Sequence, residues 1–372
     1  MRTRYGFVST YPPTLCGLAT FTSALSSELA PADTRRVIRL VDTPQPRRGT
    51  EVIGQLVAGD TDSSDRAAAM LNDGDIAILQ HEYGVYGGPD GDEVLPLLAA
   101  LRVPTVVVLH TVLTTPTAHQ REVLEAVATL ADAVVVMTTS AYKRLRGYAI
   151  DLGKVSVIPH GAPVVAPSFA PTFRSPQHTV LTWGLIGPGK GIEWAIAAMA
   201  QLQDLQPSPH YLVAGQTHPK VLLHQGEAYR TRLTDQVREL GLAASVQFDG
   251  HYRDRAALGE LVRSADVVVL PYDSTDQVTS GVLIEAVAAL KPVVATRFPH
   301  AVELLGDGAG LLVPHKDPTA IAAALRTLFT HRQLASEMAR AAVATAPELL
   351  WPAVAERYRE LARRLIKAQV AA

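Results

Sequence analysis

The chain has 372 residues, 48% apolar and 19% charged, with 34 Lys and Arg against 36 Asp and Glu for a formal net charge of −2. At roughly 150 residues per domain this length suggests two domains, and the apolar content supports large cores and excludes disorder. The even charge argues against a dedicated nucleic-acid binder, which would carry a basic excess.

The single cysteine, Cys16, excludes a disulfide within the chain and points to a reducing compartment. No window approaches the ~20 uninterrupted apolar residues of a membrane span. The first residues, with Arg2 and Arg4, lead into a short strand-like run and Pro12-Pro13 rather than the apolar stretch of a signal peptide. The expectation is a cytoplasmic protein.

Short runs rich in Val and Ile predict strands at Tyr5–Ser9, Val37–Val41, Ile76–Gln80, Thr105–His110, Ala133–Met137 and Val155–Ile158. Most are apolar throughout, as strands covered on both faces of a parallel sheet must be. Helical spacing between them, as in Ala19–Leu29 and Gln120–Leu130, completes an alternating β/α pattern. The proline-rich stretch 166–177 breaks that pattern and reads as a linker. The pattern resumes with strands at Thr179–Trp183, Tyr211–Ala214, Val246–Phe248, Val267–Leu270, Val293–Ala295 and Leu311–Val313. The two halves echo each other in Ala131-Asp132-Ala133-Val134-Val135-Val136 and Ala265-Asp266-Val267-Val268-Val269-Leu270. The organisation is thus an N-terminal doubly wound domain over 1–165, the linker, a second such domain over 178–350, and a terminal helix over 351–372. In open α/β sheets ligands sit beyond the carboxyl ends of the strands, so two such domains facing across a cleft direct attention to the loops after strands.

Two such loops carry chemistry. Gly184-Leu185-Ile186-Gly187-Pro188-Gly189-Lys190-Gly191 joins a strand to the helix starting at Ile192. Its glycines let backbone approach a ligand, the helix end adds partial positive charge and Lys190 a full one, which suits a diphosphate. Gly191 stands where a P-loop needs Ser or Thr for magnesium, which sets a P-loop hydrolase aside. The second loop, Asp276-Gln277-Val278-Thr279-Ser280-Gly281-Val282-Leu283-Ile284-Glu285, offers Thr279 or Ser280 as a helix N-cap and free N–H groups beyond it. Glu285, among apolar neighbours, needs a partner. Ribose hydroxyls fit that need, as would an internal Arg or a backbone donor.

The Lys-Gly turn and the Ser-Gly-x3-Glu helix resemble the C-terminal domain of retaining GT-B glycosyltransferases, in particular the large family four, or group 1, of nucleotide-diphosphate-sugar transferases. Further matching segments stand around them in family order: Ser9-Thr10-Tyr11-Pro12-Pro13, Cys16-Gly17-Leu18-Ala19, Val155-Ser156-Val157-Ile158-Pro159-His160-Gly161, Lys291-Pro292-Val293-Val294 and Gly310-Leu311-Leu312-Val313. The resemblance implies two Rossmann-like domains, no prosthetic group, a nucleotide-diphosphate sugar as donor and a carbohydrate, lipid-linked or small-molecule acceptor. It puts Glu285 on the ribose, Gln277 in the place of a family Glu that touches donor-sugar hydroxyls, and Leu185 in the place of a diphosphate-binding Arg. Lys190 matches the diphosphate-binding Lys. Ser280, Gly281 and Val282 would present N–H groups to the phosphates, alongside Gly184 and Gly189, and Gly17 would let the N-terminal loop approach the same group.

His110 matches a family His beside the donor sugar, so Lys190 and His110 are the catalytic candidates. His160 stands where the family often has Asn. The terminal helix is implied to return to the N-terminal domain. On the acceptor side the candidates are His81, Glu82 and Tyr83. The histidine spacings give no convincing metal site. Basic clusters at Arg35-Arg36, Arg47-Arg48 and Lys143-Arg144-Leu145-Arg146 read as solvated faces, with contact to an anionic inner-membrane surface as the second reading. Because Gln277 and Leu185 replace charged residues, a non-catalytic nucleotide-sugar-binding module stands beside the transferase as an alternative.

Overall fold

The computed structural model describes residues 2–31, 34–47, 49–164 and 178–371. The chain forms two compact units, Met1–Gly161 together with Trp351–Ala372, and Ala162–Leu350. The stretch expected as a linker, 166–177, lies outside the described residues.

The first unit runs β1 (Tyr5–Ser9), α1 (Gly17–Leu29), β2 (Arg35–Val41), β3 (Val52–Val57), α2 (Thr61–Asn72), β4 (Ile76–His81), α3 (Val94–Ala100), β5 (Thr105–Leu109), α4 (Ala118–Leu130), β6 (Ala133–Val136), α5 (Thr139–Leu145) and β7 (Val155–Val157). The second runs β8 (Thr179–Trp183), α6 (Ile192–Ala200), β9 (His210–Ala214), α7 (Pro219–Gln225), α8 (Ala228–Glu239), β10 (Val246–Asp249), α9 (Arg255–Ser264), β11 (Val267–Leu270), α10 (Gly281–Ala288), β12 (Val293–Thr296), α11 (Pro299–Leu305), β13 (Gly310–Val313), α12 (Pro318–Thr330) and α13 (Arg332–Thr345). The last helix, α14 (Trp351–Ala371), belongs to the first unit.

Each unit holds one parallel sheet, ordered β3-β2-β1-β4-β5-β6-β7 in the first and β10-β9-β8-β11-β12-β13 in the second. In both, the first strand is flanked by the second and the fourth, the doubly wound order whose switch point opens a crevice at the strand ends. That crevice lies between β1 and β4 in the first unit and between β8 and β11 in the second.

The sequence echo has a physical cause. Thr105 donates its N–H to Asp132 Oδ2 and Thr179 donates to Asp266 Oδ2, both at 2.7 Å, while each aspartate N–H returns a bond to the same threonine's carbonyl at 2.9 Å. A lysine closes each motif, Lys154 on the Ala131 carbonyl at 3.0 Å and Lys291 on the Ala265 carbonyl at 2.8 Å. In each unit this clamp ties the start of one strand to the start of its neighbour.

Many strand ends shift by one residue from the sequence expectation, and three departures stand out. The strand β3 has no counterpart among the predicted strands: at the sheet edge its residues alternate between buried and half-buried, and Gly54 and Gln55 interrupt the apolar run. Pairing of Tyr5 with Arg35 extends β2 two residues earlier than expected. Pairing of His81 with Leu109 carries β4 through His81, which therefore lies inside a strand.

Helix α14 buries Trp351, Val354, Ala355, Tyr358, Leu361 and Ala362, one face at helical spacing, in the core formed by Phe7, Phe21 and Leu25. Its polar face is fastened too: Arg357 donates to the Val157 carbonyl at 2.6 Å and Gln369 to the Arg102 carbonyl at 2.6 Å. A Cβ on Gly161 would lie 2.2 Å from the Trp351 ring, so the indole seats against bare backbone.

Candidate functional site

In the second unit the two sequence motifs meet at the β8/β11 switch point. The turn after β8 needs its glycines: Gly184 has φ +118°, Gly189 +85° and Gly191, the N-cap of α6, +64°. A Cβ on Gly191 would sit 1.8 Å from the Pro271 carbonyl, so only glycine lets this turn lie against the loop after β11. That loop is pinned back by Asp273, whose N–H donates to the Gly189 carbonyl at 3.0 Å and whose carboxylate accepts from Trp194 Nε1 at 2.8 Å. Val282, at the start of α10, lies next to Gly184.

Lys190 Nζ rests 4.4 Å from the centre of the Tyr272 ring, a cation–π contact, and has no ion-pair partner among the described residues. Ser280 caps α10, its hydroxyl accepting from the Leu283 N–H at 3.3 Å. Its own N–H, expected to face a phosphate, instead donates to His300 Nδ1 at 2.8 Å. This corrects the sequence reading: the backbone donors left at this helix end are those of Gly281 and Val282, which an α-helix cannot satisfy internally. Gln277 is half-buried and donates its side-chain amide to the Thr279 carbonyl at 3.0 Å, so that amide shapes the loop itself.

Glu285 finds a partner that the sequence does not name. Trp183, the last residue of β8, donates its indole N–H to Glu285 Oε2 at 3.1 Å. Burial pushes the carboxyl up to about 7, against the opposing pull of the Trp183 donor and the Arg255 charge. The group is therefore poised to give up or take a proton near neutrality, or to settle as a carboxylate once hydroxyl donors reach it. Trp183 and His300 are the residues that sequence reasoning misses. Trp183 carries a signal, an indole at the carboxyl end of the first strand. His300 has none, standing 20 residues beyond its partner on another helix.

In the first unit the candidates gather at the ends of β4 and β5. His110 Nε2 and Gln80 Oε1 are 2.7 Å apart, and Glu82 accepts from the Thr111 hydroxyl at 2.5 Å and from the Tyr83 N–H at 3.1 Å. His81 is buried between the rings of Tyr83 and Tyr86, and neither of its nitrogens has a partner among the described residues. The Tyr83 hydroxyl is likewise buried and unpartnered, and burial raises its pKa. Burial lowers His81 to about 4 and His160 to about 4. It lowers His110 to about 3, with added repulsion from His160 and His81. All three rings are neutral at pH 7. Phe21 binds the group together, edge-on to His110, His160 and Trp351 at 5.0, 5.0 and 5.2 Å.

Gly17 opens α1 on the exposed side, where an added Cβ would meet nothing within 4 Å, and Cys16 caps the helix by accepting from the Ala19 N–H at 3.4 Å. Of the basic clusters, Arg35 donates to Ser27 Oγ at 2.6 Å, Arg36 to the Met70 carbonyl at 3.0 Å and Arg144 to the Val112 carbonyl at 2.9 Å, so much of that charge holds the fold. No described helix is long and apolar enough to cross a membrane.

Residues 168–345 match the family described as glycosyl transferases group 1. That segment, most of the second unit, is similar to the group 1 glycosyltransferases. The D-inositol 3-phosphate glycosyltransferase of Kineococcus radiotolerans is 30% identical over 277 residues, 68% of this chain and 60% of that protein. The phosphatidyl-myo-inositol mannosyltransferase of Mycolicibacterium smegmatis is 33% identical over 192 residues, 50% of this chain and 45% of that protein. The aligned part of the chain thus spans at most 60% of the length of these relatives. Anabaena HepE, solved in complex with UDP, superposes with a TM-score of 0.76 at 18% identity, covering 97% of this chain and all of that one, which establishes the GT-B fold.

Proposed function

We propose that the chain is a glycosyltransferase that moves a hexose from a nucleoside-diphosphate sugar to an acceptor hydroxyl. The observation that carries this reading is Lys190, without an ion-pair partner among the described residues, on the turn after β8, at the same topological switch point as the Gly281 and Val282 N–H groups that open α10. Breaking a sugar–phosphate bond leaves an oxocarbenium-like centre and a diphosphate gaining negative charge. Donors fixed in advance around that charge lower the barrier without reorganising. In this reading Lys190 and the N-termini of α6 and α10 stabilise the leaving group without a divalent ion. Glu285 accepts from ribose hydroxyls, and its raised pKa falls as they bind.

The course is retaining, with attack on the face the diphosphate leaves and the departing phosphate taking the acceptor's proton, so no separate carboxylate base is required. His110, neutral and held by Gln80, donates or accepts beside the donor sugar. His81, Glu82 and Tyr83 line the acceptor side, where a carbohydrate, lipid-linked or small polyol acceptor supplies the hydroxyl. The names of the relatives support this reading, since both are sugar transferases acting on inositol-based acceptors by name. HepE, crystallised with UDP, supports the choice of donor class.

A second reading, a nucleotide-sugar-binding module without turnover, is favoured by Gln277 and Leu185. Thermal unfolding with UDP, GDP, ADP and dTDP, followed by donor hydrolysis, separates the two. A magnesium-independent rise in Tm with one diphosphate, plus slow hydrolysis of the matching sugar nucleotide, supports the transferase. Binding with neither hydrolysis nor transfer to any acceptor supports the module.

A further inference from the structure

Arg39 is among the largest fully buried side chains of the protein, at 0% exposure, and it has no carboxylate partner among the described residues. It lies in β2, where register pairs it with Ser9 of β1 and Gln55 of β3. Aligned residues of neighbouring strands share a face, so Arg39 and Ser9 lie on the α1 side of the sheet with Val37 and Phe7. Among the described residues only Nη2 of the guanidinium is engaged, by long bonds to Gln45 Oε1 at 3.2 Å and the Pro46 carbonyl at 3.4 Å. Nε and Nη1 are buried without a hydrogen-bond partner among the described residues, and so is the Ser9 hydroxyl. Another buried hydroxyl without a partner among the described residues, that of Thr22, lies on α1, the helix that joins these two strands. Glu51, an acidic residue just before β3, is engaged by the Tyr11 hydroxyl at 3.5 Å.

A guanidinium cannot discharge itself by losing a proton, and a buried charge left unpaired is strongly destabilising. A cluster that holds one cation and several unused donors therefore lacks an anion with several acceptor oxygens. The segment that bonds the guanidinium belongs to the exposed loop 42–47, anchored through Gln45 to Gln55, whose side chain accepts from the Gln45 N–H at 3.0 Å. Displacing that loop gives access. We propose that Arg39 and Ser9 form the floor of a second anion site, in the first unit, that takes a small oxyanion of the phosphate or carboxylate kind. It is separate from Lys190, which lies in the other unit, and does not depend on the transferase reading.

The test is thermal unfolding of the full chain at constant ionic strength, with chloride exchanged for inorganic phosphate or acetate. In the unaltered protein, Tm rises saturably with at least one of these anions. Phosphate also stabilises proteins by general exclusion from their surface, which gives a linear and non-saturating rise. Arg39→Met keeps only that linear part and is no less stable than the unaltered protein in chloride. Ser9→Ala retains saturation with about tenfold weaker half-saturation, the scale of one hydrogen bond to a charged group. Lys190→Ala leaves the saturable rise intact. A saturable rise with phosphate but not with glucose 6-phosphate identifies a free ion as the ligand, and a rise with both identifies a phosphate group on a larger molecule. If Arg39→Met does not fold, Arg39→Lys is read instead, with half-saturation weakened tenfold or more. The proposal is overturned if neither anion gives a saturable rise, or if the rise persists unchanged in the Arg39 variant.

Discussion

The two units share a strand order and a switch point, yet they place opposite chemistry there. In the second unit the crevice holds a lysine without an ion-pair partner among the described residues and a buried carboxyl raised to about 7. In the first, the ends of β4, β5 and β7 carry imidazoles lowered to about 4, 3 and 4, with a carboxylate fixed on Thr111. One topology thus carries a lysine and a protonatable carboxyl in one unit, and uncharged imidazoles with a carboxylate in the other. The difference lies in which side chains follow each strand and leaves the sheets alike.

The largest expected effect falls on Lys190. Lys190→Ala lowers turnover about 10²-fold or more, the scale of losing one electrostatic contact to a transition state. Tm falls only slightly, because Lys190 pairs with no acidic group among the described residues and loses a cation–π contact with Tyr272 worth about 0.5–1 kcal/mol. Steady-state rates with the donor selected by the diphosphate panel check this, and an unchanged rate removes Lys190 from the mechanism.

Next come the glycines that open the first helix of each unit. Gly191→Ala forces a left-handed conformation costing about 1–3 kcal/mol, to which the clash with the Pro271 carbonyl adds. Gly17→Ala meets no atom within 4 Å, and its effect on stability stays under about 1 kcal/mol. Urea unfolding measures both. Equal losses would mean that the two turns are not built differently after all.

The pH response sharpens the contrast further, because its sign differs between units. The histidines titrate near 6.5 when unfolded and near 4 or 3 when folded, so the unfolded state binds more protons in that window. Their contribution is full above pH 6.5 and lost as pH falls towards 4. Glu285 runs the other way: folded at about 7 against an ordinary 4.5, it binds more protons when folded, and stability falls as pH rises between those values. Hydrogen exchange followed separately on strands of each unit should show the first unit weakening in acid. His81→Phe removes part of that weakening, since the ring nitrogens have no hydrogen-bond partner among the described residues to lose and a phenyl ring can keep the contacts with Tyr83 and Tyr86. Glu285→Gln removes the opposite slope in the second unit while weakening nucleotide binding.

Much of this is legible in the sequence. Apolar runs locate every strand except β3, whose alternation at a sheet edge looks like loop. The lysine turn and the capped helix are visible because glycine, lysine and Ser280 are each there for a local reason. What stays hidden are partners brought together only by the sheet. Trp183 meets Glu285 across 102 positions, and His300 takes the Ser280 N–H across 20. Local spacing says nothing about either, and the second changes which backbone donors remain open. Arg39 is hidden for the opposite reason: in sequence it looks like one more basic residue near a cluster of them.

The placement of α14 also bears on how the protein is made. The first unit is written in two pieces, and Trp351, Val354, Tyr358 and Leu361, which seal its core, come from the second piece. Domains made on a ribosome ordinarily finish folding in the order they emerge. Here the second unit, continuous in sequence, has all its strands out before the first can close. The N-terminal unit waits as an unsealed layer until the final helix appears, so a nascent chain stalled near residue 350 would expose the apolar face around Phe21 and Leu25 to chaperones or to aggregation.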